Sequence, residues 1–252
     1  MSKDTEMSMV EHLEELRRAI IISLVATLVM TVVCLAFADR VLDILLSPVT
    51  STGNEMVYIH VTEALMTKIG ISFFLGFLTA LPITLWQFWS FMIPALRKTE
   101  RVYFTLFIVI SFVMFIAGIL FGFFAVYGLA IRFLLGYGGE ELLPMISIGK
   151  YVSFTLTFLL PFGLVFELPL AAFFLGQLGI LSYRLMIKFR KYALLISVVI
   201  SAAIVPTPDM ITPLLMASPM YLLYEFSAQI IRFIEWRKRK KAKKAEEENE
   251  EA

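Results

Sequence analysis

The sequence predicts an all-α membrane protein: six transmembrane helices with the N- and C-termini both cytoplasmic. Three observations predict it. Apolar residues make up 59% of the 252 residues and charged ones 17%, against about 45–50% and 25% in soluble domains. Mean hydropathy is +0.83, and the apolar residues gather into runs long enough to cross a bilayer. The basic residues are confined almost wholly to alternate connections between those runs.

The chain opens on mixed polar residues, unlike a secretory signal peptide, and SMVEHLEELRRAI then starts a helix. Ser8 and Glu11 have capping-box spacing, and acidic residues in the first turn suit the positive end of the helix dipole. Val10, Leu13, Leu16 and Ile20 share one side, so this segment is amphipathic and can lie at the interface before turning inward. Six spans follow, at about 19–38, 65–93, 102–131, 151–179, 192–205 and 212–231. A hydrocarbon core of about 30 Å needs roughly 20 helical residues, so the third and fourth spans tilt or protrude. The fifth has only 14 uncharged residues between Lys191 and Pro206, about 21 Å of helix. Either Arg190 and Lys191 reach back to the interface, or the bilayer thins around this span.

Charge sets the orientation. Of the 22 Lys and Arg, all but Arg40, Lys68, Arg132 and Lys150 lie before span one, between spans two and three, between four and five, or after six. The positive-inside rule places those connections, and both termini, in the cytoplasm. Trp86, Trp89 and Trp236 map near the same interface, as aromatic anchors should. Outside lie a loop over about 39–64, in which VLDILL and VTEALM show helix-like patterning, a second over 132–150, and a tight PTPDMI turn over 206–211. Residues 1–231 thus read as the membrane domain. Residues 232–252, basic and then acidic, read as a disordered cytoplasmic tail whose basic half can meet lipid headgroups.

The function classes narrow quickly. Nothing resembles a phosphate-binding loop, nothing points to nucleic acid, and the lone Cys34 rules out an internal disulfide or a multi-cysteine metal site. His12 and His60, the only histidines, fall on opposite membrane sides, so no paired-histidine metal site or buried Ser–His pair is available. The sequence therefore predicts no enzyme and no cofactor. Acidic residues are the informative ones. Glu14 lies three and four residues before Arg17 and Arg18 and can be neutralised locally, which leaves Glu15 without an obvious intrahelical partner. Glu100 is flanked by Arg97, Lys98 and Arg101. Glu167, in FLLPFGLVFELPLAAFFLG, stands in an apolar span where an acid costs about 2.5–3.5 kcal/mol on insertion scales. Pro161 and Pro169 each remove an N–H and crowd the carbonyl four residues earlier, so the helix is expected to bend there. Gly163, one turn before Glu167, would leave a hollow beside the carboxylate, and a carboxylate facing a wet cavity is the reading this pattern favours.

HLEELR near the N-terminus, PALRKTER after span two, FGLVFELP in span four and PTPD before span six resemble the TatC family, the multi-span subunit of the twin-arginine protein translocase. The likeness covers nearly the whole chain. It implies a concave, glove-like bundle with short fifth and sixth helices in the bacterial cytoplasmic (inner) membrane. It implies recognition of twin-arginine signal peptides on folded cargo, TatA/TatB-type single-span partner subunits, self-association, and drive from the proton-motive force. Residue by residue, it assigns signal-peptide binding to Glu15, Arg17 and Glu100, an intramembrane polar or partner site to Glu167, and external-loop positions to Pro48 and Asp209. The chain departs from the family at Ala19, where a basic residue is usual, and at Thr212 and Pro213, near which a Gln is usual.

Two carboxylates suit two guanidinium groups, since each accepts two parallel hydrogen bonds from one arginine. The alternative, a proton-coupled secondary transporter using Glu167, predicts broken helices at corresponding places in two halves. Here the short helices are the adjacent fifth and sixth.

Overall fold

A computed structural model describes residues 9–50, 56–92, 101–136, 145–177, 179–204 and 211–250. Nearly all of these are helical. Helix α1 (Met9–Cys34) passes through one 3₁₀ turn, Leu35–Phe37, into α2 (Ala38–Thr50). Strand β1 (Met56–Val57) precedes α3 (Glu63–Met92). Helix α4 (Arg101–Phe121) runs through a π-helical segment, Gly122–Tyr127, into α5 (Gly128–Gly136). Strand β2 (Ile146–Ser147) leads into α6 (Ile148–Phe166), followed by α7 (Leu168–Gln177), α8 (Tyr183–Ile204) and α9 (Ile211–Glu250).

Among the described residues, five stretches are long and apolar enough to cross a membrane. The predicted fifth span, in α8, is not one of them, because four of its first nine residues are basic. VLDILL lies in α2 as expected, but VTEALM opens α3 rather than forming a helix of its own.

The chain divides into two compact units, residues 1–116 with 140–156, and residues 117–139 with 157–252. In the first, α1 packs along α3, with the Cys34 thiol buried 3.8 Å from the Thr79 hydroxyl. Strands β1 and β2 pair in parallel, Met56 with Ile146 and Val57 with Ser147. Trp89 departs from its expected role as an interface anchor. Only 3% exposed, it meets Phe107 edge-on at 4.6 Å and its indole N–H donates to the Ser111 hydroxyl. An indole on the inner face of a helix gains more from ring packing and a protein acceptor than from the headgroup layer. Trp86 and Trp236 are exposed.

In the second unit, α7 and α8 form a hairpin packed on α9. Ala172, Met186, Ala228 and Ile231 are buried together at its centre. The turn is set by Gly179, whose φ of +77° side chains disfavour; the Ile180 N–H donates back to the Leu175 carbonyl at 3.0 Å and closes the end of α7. Charged groups of α9 complete it. The Lys238 ammonium donates to the Gly176 and Gln177 carbonyls at the C-terminus of α7, and the Glu235 carboxylate accepts from the Tyr183 N–H at the start of α8. Each sign matches the helix end it meets.

Residues 232–250, read from the sequence as a disordered tail, lie within the helical range of α9. Mixed charge argued for disorder, but Ala, Lys and Glu are strong helix formers, and the extension grows from a turn already nucleated.

Candidate functional site

Four places bear on function, and the first is the start of α1. Glu15, Arg17 and Arg18 are all exposed there, and among the described residues Glu15 makes no ion pair. The local pairing expected between Glu14 and Arg17 or Arg18 is likewise not formed among the described residues. One turn before Glu15, the His12 ring stacks on Phe91 with centroids 4.3 Å apart and planes 17° from parallel. Phe91 is the penultimate residue of α3, so the first turns of α1 lie beside the end of α3. Glu100 falls within residues 93–100, outside the described residues.

The second place is Glu167. It stands alone between α6 and α7, half-buried, at a break in the helix. Its own N–H donates to the Leu164 carbonyl at 3.2 Å, a tighter turn than α, and the Ala171 N–H donates to its carbonyl at 2.8 Å. The helix is thus interrupted two residues before Pro169, which has no N–H for the next rung. Pro161 was expected to act likewise, but α6 runs through it unbroken. Beside this break, α4 approaches closely at Gly118, where a Cβ would sit 2.5 Å from the Phe162 carbonyl and 2.9 Å from Phe166. Phe121 adds ring contacts to Phe162 and Phe166 at 6.2 and 5.5 Å. The acid is framed by aromatic packing on the turns before it.

The third place is the side that the charge pattern puts outside. Pro48 lies within α2, and Asp209 falls in residues 205–210, outside the described residues. The organising residue here is one that sequence reading passed over, Glu63, which precedes the second span. Its carboxylate accepts from the Ile59 and His60 N–H groups at 2.8 and 3.1 Å, from the Gly149 N–H at 2.7 Å, and from the Ser147 hydroxyl. The Ser147 hydroxyl first, then Gly149, His60 and Ile59, hold this carboxyl well below the usual range, at about 2, against an opposing push from burial. Nearby, the Tyr151 hydroxyl donates to the Leu45 carbonyl at 2.9 Å and Lys68 pairs with Asp39 at 2.7 Å.

The fourth place is an ion pair at the start of the predicted fifth span. Arg190 of α8 donates to Glu225 of α9 at 2.7 Å, and the Tyr221 hydroxyl donates to the other carboxylate oxygen at 3.0 Å. Arg190 thus has a carboxylate partner on the neighbouring helix. Sequence reading passed over Glu225 too, although as an acid within the apolar run YLLYEFSAQII it was legible. Glu63 was not, because its partners Ser147 and Gly149 lie 84 and 86 residues away.

Comparison with known proteins agrees with the sequence motifs. The family model for TatC, Sec-independent protein translocase protein, matches residues 11–219. The Sec-independent protein translocase protein TatC of Carboxydothermus hydrogenoformans is 48% identical over 232 residues, covering 92% of this chain and 96% of that one. Its counterpart in Aquifex aeolicus is 39% identical over 243 residues, covering 95% and 100%. A crystal structure described as twin arginine translocase receptor TatC superposes with a TM-score of 0.81 at 38% identity, covering 89% of this chain and 99% of that one. Such agreement over nearly the full length leaves the transporter alternative without support. The chain belongs to the TatC family of Sec-independent protein translocase proteins, which are membrane components of a translocase and not enzymes.

Proposed function

We propose that this chain is the signal-peptide receptor of a twin-arginine translocase in the bacterial inner membrane. Glu15 and Glu100 each take one arginine of the peptide, and Arg17 belongs to the same binding site. The observation that carries the proposal is the state of Glu15: an exposed carboxylate on the first helix, beside the end of α3, with no ion pair among the described residues. A guanidinium offers such a group two parallel hydrogen bonds. The match to a solved structure described as a twin arginine translocase receptor supports the same reading.

Residues 1–231 serve as the membrane domain and 232–252 as a cytoplasmic extension. Glu167, at the helix break, provides the polar spot in the wall against which a TatA/TatB-type single-span subunit or a cargo segment works. Pro48 and Asp209 belong to the external connections, further copies of the chain share the assembly, and the proton-motive force drives transport. The test is capture of the purified protein on immobilised peptides carrying an arginine pair or a lysine pair. Retention on the arginine pair alone supports the proposal, and equal retention on both removes it.

A further inference from the structure

The recognition reading requires two chain segments to hold a fixed spacing. One is the second turn of α1, with Glu15. The other is the end of α3, from which the sequence runs on to Glu100. His12 and Phe91 join the elements on which these segments depend. His12 lies three residues before Glu15, so the two share a side of α1, with Cβ atoms about 5–6 Å apart. Its ring lies nearly flat on Phe91, 4.3 Å between centroids, in the last turn of α3. The neighbouring apolar residues of α1 do not supply such a tie: Val10 and Leu13 are exposed by 73% and 64%. An imidazole suits the place because it combines a flat apolar face for the phenyl ring with polar edges for the aqueous border.

From this geometry we infer that His12 is a positioning residue of the signal-peptide site: its stack on Phe91 fixes the place of Glu15 relative to the end of α3. The inference rests on the receptor reading above. It concerns ring packing and requires no change in the charge of His12. Small errors in placement are costly for paired, planar contacts, because a carboxylate displaced by about 1 Å loses the two-point geometry.

The experiment uses the full chain in detergent and a fluorescent peptide with an arginine pair, comparing wild type with Glu15→Gln, His12→Ala and His12→Phe. His12→Ala is expected to weaken binding about three- to tenfold while the melting temperature stays near that of wild type. It should also reduce the coupling between Glu15 and the peptide arginine in a double-mutant cycle, which a merely structural contact would not do. His12→Phe keeps a ring on Phe91 and should restore both affinity and coupling. If Glu15→Gln weakens binding but His12→Ala does not, the inference fails and the receptor reading stands. If His12→Phe is as weak as His12→Ala, stacking is not the cause and the inference again fails. If Glu15→Gln binds as wild type does, the receptor reading fails and this inference with it.

Discussion

Glu63 and Glu15 belong to the same compact unit and stand near the start of α3 and α1, yet they are used in opposite ways. Glu63 is 9% exposed and accepts four hydrogen bonds from its own chain, two of them from groups more than eighty residues away. Glu15 is exposed and makes no ion pair among the described residues. A carboxylate offers about four lone-pair sites. Where the protein fills them, the residue fixes backbone; where it leaves them open on a surface, the residue can read another molecule. Glu63 belongs to the fold, and Glu15 to recognition.

The largest effect expected from this contrast is on stability. Glu63→Ala leaves the Ser147 hydroxyl and three N–H groups without their acceptor, and buried unsatisfied donors are among the costliest defects a substitution can make. The melting temperature should fall clearly, and amide exchange should quicken around residues 56–63 and 146–150. Glu15→Gln, an exposed change, should alter stability by no more than about 0.5 kcal/mol. Equal losses in the two variants would break the comparison.

Acid should reveal the same difference. The Glu63 carboxyl sits at about 2 in the folded protein, below the roughly 4.3 of a free glutamate. Its contribution is therefore complete above the unfolded value and lost as pH falls from about 4 toward 2. Thermal melts of wild type and Glu63→Gln should converge over that window and stay apart, by a constant interval, from pH 5 to 8. An interval that changes near neutrality would show that Glu63 is not the saturated group described above.

A smaller and more selective effect is expected at Glu167. Glu167→Gln retains shape and hydrogen-bonding capacity and should preserve the fold. Glu167→Leu should lose cross-linking to the single-span partner while peptide binding at the start of α1 stays near wild type. Loss of both contacts together would mean that the residue is purely structural. Smallest of all is the expected depth change along α8. Spin labels at Ala193 and Ile204, about 17 Å apart along the helix, should each report a depth close to one of the two headgroup layers, as only a bilayer thinned below the roughly 30 Å of an undisturbed core allows. A label that reports from the bilayer centre would exclude local thinning.

Hydropathy placed the apolar helices because it depends on composition over long windows, which local errors do not disturb. The break at Glu167 was also legible, since Pro169 lacks the N–H that a continuous helix needs there. Pro161, with the same chemistry, leaves α6 intact, and no local rule separates the two. Trp89 was misread because the interface rule counts depth, whereas its burial depends on which face of α3 meets Phe107 and Ser111. At the candidate site, Glu15 stood out by its missing intrahelical partner, a property of spacing alone. Glu63 and the Arg190–Glu225 pair depend on partners 84 and 35 residues away, a proximity created by the fold.

The central claim is that open carboxylates read an arginine pair, and a double-mutant cycle tests it most directly. Glu15→Gln and Glu100→Gln would each be combined with replacement of each peptide arginine, and affinities measured in detergent at fixed salt. Loss of one charge-assisted contact should cost about 1.5–3 kcal/mol, or roughly ten- to a hundredfold in affinity, and Glu15→Lys should be worse than Glu15→Gln. Each glutamate should couple strongly to one arginine and weakly to the other. Zero coupling in all four pairs would contradict the account.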